Sequence, residues 1–220
     1  MKSGFSKLTL ACAALAILTT ANAGLASDLR VDAPSPAIAV TAKSGQDSVA
    51  EGAKNFIASM GDRGINFLGN QSMSAEAKKA EFRKLLNESF DMNTIARFSL
   101  GTYWKAATPA QQQEYLKLFN NMIVKVYSKR FSDYKGQKFE VKSARKETDK
   151  DSVVTSFIVP TDGPQVQVDW RVRNKGGSYR VVDIVVEGVS MSQTQRADFA
   201  SVINRGGGNV DVLLNHLRQQ

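Results

Sequence analysis

The chain has 220 residues, 29 basic against 21 acidic for a formal net charge of +8, with one cysteine and one histidine. That length suits a single domain burying roughly 70% of its extended surface. So few thiols and imidazoles leave little material for cysteine-, zinc- or histidine-centred catalysis, and the basic excess either favours anionic partners or serves solubility.

Lys2 and Lys7 precede an uncharged apolar run from Leu8 to Leu18, and Ala21-Asn22-Ala23 follows. This order of charged, apolar and small residues predicts a secretory leader over residues 1–23. The run is about 11 residues, well short of the roughly 20 that a spanning helix needs. Cys12 lies inside the leader, and Thr9-Leu10-Ala11 before it fits lipoprotein processing poorly. The exported chain is therefore expected to be soluble and free of thiols, disulfides and cysteine ligands. It keeps 27 basic residues against 21 acidic. Residues 24–46 carry Pro34 and Pro36 without an apolar period, which predicts a disordered spacer ahead of a domain over 47–220.

From Ser48 the apolar spacing becomes helical: Val49, Ala53, Phe56, Ile57, Met60, Phe67 and Leu68 form one stripe. Gly61 and Gly64 interrupt it, marking either a kink or a close contact. Ser74 is the expected cap of a second helix with Phe82, Leu85, Leu86 and Phe90 on one side. A short helix from Asn93 to Leu100 should stop at Gly101. Thr108-Pro109 opens the longest helix, expected to run to about Tyr134 before Gly136. Its apolar face, from Tyr115 to Phe131, is too wide for a two-residue seam and needs a sheet or several helices as cover.

The period then changes to two. Phe139–Lys142, Val153–Val159, Val166–Val172 and Tyr179–Val189 read as strands separated by turn signals at Asp149-Lys150-Asp151, Asp162-Gly163-Pro164 and Gly176-Gly177. Such short connections imply an antiparallel meander of four strands. Two helices, Ser192–Asn204 and Val210–Leu217, close the chain across Gly206-Gly207-Gly208. Helices followed by strands predict an α+β fold: a curved four-stranded antiparallel sheet packed against a bundle of helices.

No phosphate-cradling loop or dinucleotide fingerprint is present, and Gly206-Gly207-Gly208 follows a helix instead of a strand. His216, in the last turn of the final helix, reads as a helix-end residue. Asp169 and Asp183 lie on neighbouring strands and are the remaining carboxylates for acid–base work. Asp169 has simpler partners in Arg171, Arg173 or a residue across the strands, and Asp183, sharing a face with Val181 and Val185, needs a specific buried partner. The basic residues are scattered among acidic ones without an aromatic-lined basic stripe, which argues against nucleic acid as a partner.

The segment Ile95-Ala96-Arg97-Phe98-Ser99-Leu100-Gly101-Thr102-Tyr103-Trp104 resembles a signature of the MlaC, or toluene-tolerance, family. So do Phe82-Arg83, Phe90-Asp91, Arg130-Phe131, Val168-Asp169-Trp170-Arg171-Val172, Val182-Asp183-Ile184, Glu187-Gly188-Val189-Ser190 and Gln195-Arg196, in order from about Val49 to Leu217. The resemblance implies a periplasmic phospholipid-binding protein, not an enzyme, whose helices and sheet enclose an apolar pocket. It implies phospholipid as cargo with no other cofactor. It also implies partners in an outer-membrane lipoprotein–porin complex and an inner-membrane ABC transporter complex with a lipid-binding ring, in a system that maintains outer-membrane lipid asymmetry. A hopanoid-associated branch of the same family stays open, as does an interaction module or small hydrolase on a similar scaffold. The expected pocket lining is Val166, Val168 and Trp170 on one strand, Val182, Ile184 and Val186 on its neighbour, and Val124, Tyr127 and Phe131 on the long helix. Arg97, Tyr103 and Trp104 either support a pocket rim or lock helix packing.

Overall fold

The structure, a computed structural model, describes residues 43–220, with side chains from Ser48 onward. The expected leader lies outside the described residues. So does the expected spacer, apart from residues 43–46, which form the first turn of a helix.

Helix α1 (Lys43–Gly69) runs unbroken through both interior glycines. Helix α2 (Ala75–Ser89) starts where the Ser74 hydroxyl accepts from the Ala77 N–H, and α3 (Met92–Leu100) where the Asp91 carboxylate accepts from the Thr94 N–H. Gly101 ends α3 at φ 63°, a conformation that suits a residue without Cβ. A single turn, α4 (Tyr103–Ala106), leads to α5 (Pro109–Ser128). A capping box between Thr108 and Gln111 holds the start of α5, with proline at the first position. The long helix ends about six residues before the expected Tyr134. A separate turn of 3-10 helix, Phe131–Asp133, follows, because Phe131 swings onto the rings of Phe82 and Phe67, 5.3 and 5.9 Å away.

Strands β1 (Lys138–Lys146), β2 (Asp151–Val159), β3 (Val166–Lys175), β4 (Ser178–Val186) and β5 (Val189–Ser190) form one antiparallel meander in sequence order. The count exceeds expectation by one because Glu187 and Gly188, at φ 48° and 79°, make a tight turn inside the stretch read as one strand. Gly176-Gly177 makes the equivalent turn between β3 and β4. Lys142 in β1 and Val182 in β4 are skipped in the pairing, and these bulges bend the sheet. Helices α6 (Met191–Arg205) and α7 (Val210–Arg218) complete the fold. No described helix is long and apolar enough to cross a membrane.

Two apolar cores result. The first is helical, built on Tyr115, Phe119, Phe199, Ile203, Leu213 and Leu214 from α5, α6 and α7. Tyr115 hides its hydroxyl by donating to the Ala96 carbonyl at 2.9 Å, and burial raises its pKa well above the usual phenol range. The second core joins Ala53, Ile57 and Met60 of α1 and Leu85 of α2 to Val154, Val172 and Val181 of the sheet.

Glycine sets how closely α1 meets that sheet. A Cβ at Gly52 would lie 2.1 Å from the Tyr179 hydroxyl, and one at Gly61 would lie 2.2 Å from the Phe139 ring. Nine residues apart, these positions are on opposite flanks of the helix, about 180° from one another. Helix α1 therefore lies in the trough of the bent sheet, with one aromatic ring against each flank.

Asp183 ties the sheet to the helical core. Its carboxylate accepts from the Ser190 hydroxyl at 2.7 Å, the Ile184 N–H at 2.9 Å and the Ser192 N–H at 3.2 Å. Arg171 stands 3.9 Å away. The buried charge thus sits at the positive end of α6, whose cap Ser190 also accepts from the Gln193 N–H. This is the specific partner that the sequence required. Asp169 finds its partner across the strands, accepting from the Thr155 hydroxyl at 2.6 Å.

Three stability effects follow. Asp183→Ala strands two buried N–H groups and should lower stability by about 2–4 kcal/mol in a denaturant titration; a loss below about 0.5 kcal/mol would contradict this role. Gly61→Ala should lower Tm by pushing α1 off Phe139. Gly64→Ala, where no atom obstructs, should raise stability by up to about 1 kcal/mol through helix propensity.

Candidate apolar binding site

The cross-strand register sorts the expected pocket residues. Trp170 pairs with Ile184 and Val154, while Val168 pairs with Val186 and Ser156, so these share the face covered by α1. Val166 begins β3 opposite Ile158 on the same face and is buried. Val182, also buried, is the skipped residue of the β4 bulge, so it falls out of the alternation that the sequence suggested. Five of the six strand residues are thus brought together in register, and the bulge displaces the sixth.

Tyr127 and Phe131 reach this core through one intermediary. The Phe82 ring lies 6.4 Å from Tyr127 and 5.3 Å from Phe131, and Phe82 packs against the sheet–helix core. Phe67 of α1 closes the aromatic row against Phe131 at 5.9 Å. Val124 is fully buried one turn before Tyr127.

The sheet–helix core has the smaller buried centre of the two, and half-buried apolar residues border both. Its sealed centre is ringed by half-buried Phe56, Phe82, Phe90, Phe139, Trp170 and Ile184. Large apolar rings left half-covered mark where further apolar matter can be taken up. Gly64 adds a gap in the cover. It follows Met60 by four residues and precedes Phe67 by three on the buried stripe of α1, yet open space lies where its Cβ would stand. Trp170 spans the apolar and polar requirements of this face: its ring meets Phe139 edge-on at 5.9 Å, and its Nε1–H donates to Ser156 Oγ at 2.8 Å. Ser156 passes the bond on to the Val168 carbonyl at 3.1 Å, so no polar group of that row is left unmatched.

The family-like segment on α3 and α4 lies elsewhere. Arg97 stacks over Trp104 at 4.8 Å, Trp104 meets Tyr115 edge-on, and the Tyr103 hydroxyl bonds the Asn204 side chain. These residues lock helices of the helical core together instead of bordering the sheet. His216 bonds Gln220 at 2.8 Å, and burial and Arg205 hold its pKa below the usual imidazole range. Two clefts of about 440 and 590 Å³ open on polar surfaces around α2, and none of the nine expected lining residues borders either.

The contribution of α1 and α2 to this core went unassigned in the sequence. Phe56, Ile57, Met60, Phe82 and Leu85 are visible there as helical stripes, but a stripe does not say which of two cores it joins. The glycines at 52 and 61 were the available signal, since a glycine inside a strong helix often marks a close approach.

The comparisons with known proteins agree with this architecture. The chain is 27% identical over 124 residues to the intermembrane phospholipid transport system binding protein MlaC of Haemophilus influenzae, covering 54% of this chain and 57% of that protein. It is 26% identical over 109 residues to a toluene tolerance protein of Pseudomonas putida, covering 50% and 51%. The matched stretches thus span about half the length of these curated relatives. Among solved structures, a phospholipid-binding protein of Ralstonia solanacearum, determined in complex with a phospholipid, superposes with a TM-score of 0.66 at 25% identity, covering 76% of this chain and 95% of that one. The model of the MlaC protein family matches residues 60–219, from the middle of α1 to the end of α7, and the chain belongs to that family.

Proposed function

We propose that this protein is a periplasmic phospholipid carrier that holds acyl tails between α1, α2 and the apolar face of the sheet. The observation that carries the reading is the sheet–helix core, whose buried centre is ringed by half-buried aromatic side chains and whose covering helix meets open space at Gly64. The Ralstonia solanacearum protein of like fold, described with its phospholipid, supports it.

The physics of the task is simple. Each CH₂ moved from water into an apolar site gains roughly 0.8 kcal/mol, so two tails gain on the order of 20 kcal/mol. That is enough to extract a lipid without a covalent step, and the reading assigns none. It also makes spontaneous release slow, so release requires a partner that binds the open form better or offers an equally apolar path. In this reading the leader over residues 1–23 exports the chain. The carrier then exchanges lipid between an outer-membrane lipoprotein–porin complex and an inner-membrane ABC transporter carrying a lipid-binding ring, which maintains outer-membrane asymmetry. The basic excess suits acidic faces on both.

Organic extraction of the protein purified from its periplasm should yield close to one phospholipid per protein; protein free of lipid would contradict the reading, and a hopanoid in the extract would move the cargo to the other branch. Gly64→Phe should fill the gap and cut the lipid recovered several-fold, while thermal stability holds or rises because glycine is a poor helix former. Ile184→Trp should reduce loading in the same way from the sheet side. Full loading in both variants would place the tails elsewhere.

A further inference from the structure

The cleft of about 440 Å³ lies where the junction of α2 and α3 meets the end of the β3–β4 hairpin. Its lining brings three cations, Arg173, Lys175 and Arg180, against one carboxylate, Asp91. Two of the cations already have partners: Arg173 forks onto Asp151 at 2.7 and 2.9 Å, and Lys175 lies 3.5 Å from Asp91. Arg180 has no carboxylate partner among the described residues; its guanidinium donates only to the Tyr179 carbonyl at 3.3 Å.

The Asp91 carboxylate of the cleft is engaged, whereas the Arg180 guanidinium keeps N–H donors to spare. Burial works against the Asp91 charge, but the Thr94 N–H, at 3.0 Å, and Lys175 hold its carboxyl below the usual range, so its oxygens are engaged. The Asn87 carbonyl oxygen, at the cleft's edge, accepts from Asn120 at 3.1 Å. A concave site with spare N–H donors and excess positive charge is suited to an oxyanion. The back of the cleft is apolar: Phe90 lines it and also packs against the sheet–helix core, pairing with the sealed Val181 of β4. The polar cleft and the candidate tail site therefore share a wall.

We propose that this cleft receives a phosphate oxyanion on Arg180, that of the cargo headgroup, and that its uncompensated charge makes the carrier favour lipids whose headgroup is a net anion. The inference rests on the carrier reading for the source of the phosphate. Inorganic phosphate offers the same oxyanion, and the test separates the two.

Delipidated protein is loaded from vesicles of equal phosphatidylglycerol and phosphatidylethanolamine, and the two lipids bound per protein are measured by mass spectrometry. The wild type should hold about 3-fold more phosphatidylglycerol than phosphatidylethanolamine, the scale of a partly exposed ion pair. Arg180→Gln should bring the ratio close to one, and Arg180→Lys should keep part of the preference. The ratio is read within one protein, so a general loss of loading does not mimic the effect. In parallel, inorganic phosphate is titrated into lipid-free protein while the arginine Nε–H resonances are followed. A shift at Arg180 that lipid loading then suppresses supports a shared phosphate site filled by the headgroup. A shift that lipid loading leaves unchanged shows a free-phosphate site and overturns the headgroup assignment. Equal ratios in loaded wild type and Arg180→Gln overturn it too. Protein that takes up neither lipid contradicts the carrier reading; in that case an Arg180 shift still supports a phosphate site, and its absence overturns the site itself.

Discussion

A single helix, α1, provides much of the cover over the apolar face of the sheet, and its glycines decide how near it comes. At Gly52 and Gly61 the backbone passes so close to Tyr179 and Phe139 that no Cβ would fit. At Gly64 the same helix meets open space. Tight contact on both flanks holds the helix in position, while no atom comes within 4 Å of where a Gly64 Cβ would stand. Open space there forfeits packing contacts that a side chain would have made, and the half-buried aromatics of the sheet–helix core keep apolar surface in partial contact with water.

The helical core has the larger buried centre of the two. Tyr115, Phe119, Leu213 and Leu214 are almost wholly removed from solvent, and the aromatic rings of α5 and α6 meet edge-on at about 6 Å. Asp183 couples the two cores, since it belongs to β4 and accepts from both the cap and the second residue of α6. In the carrier reading, the tails enter the core with the smaller buried centre and leave the larger one intact. Such a division is expected of a carrier whose interior must be filled and emptied.

Much of this was legible in the sequence, for identifiable physical reasons. Caps at Ser74 and Thr108, the β-branched run of β2 and the alternation of β3 are local signals, and the elements they mark formed there. The need of Asp183 for a partner followed from its apolar neighbours alone. Three features were hidden because they depend on tertiary contact. The long helix stops early so that Phe131 can reach Phe82, the β4 bulge takes Val182 out of alternation, and Glu187 adopts a positive φ that its type does not advertise. The candidate site was half legible. Alternation placed Val168, Trp170, Ile184 and Val186 on one face, whereas the assignment of Phe56, Ile57, Met60, Phe82 and Leu85 to that face required knowing which of two cores each helix covers.

The chain's two tryptophans fall one in each core, Trp104 in the helical one and Trp170 in the sheet–helix one. Fluorescence of single-tryptophan variants, Trp104→Phe and Trp170→Phe, loaded with a phospholipid carrying brominated acyl chains therefore reports directly on where the tails lie. The account predicts strong quenching of Trp170 and little of Trp104. Equal quenching of both, or quenching of Trp104 alone, would contradict the placement of the cargo between α1 and the sheet.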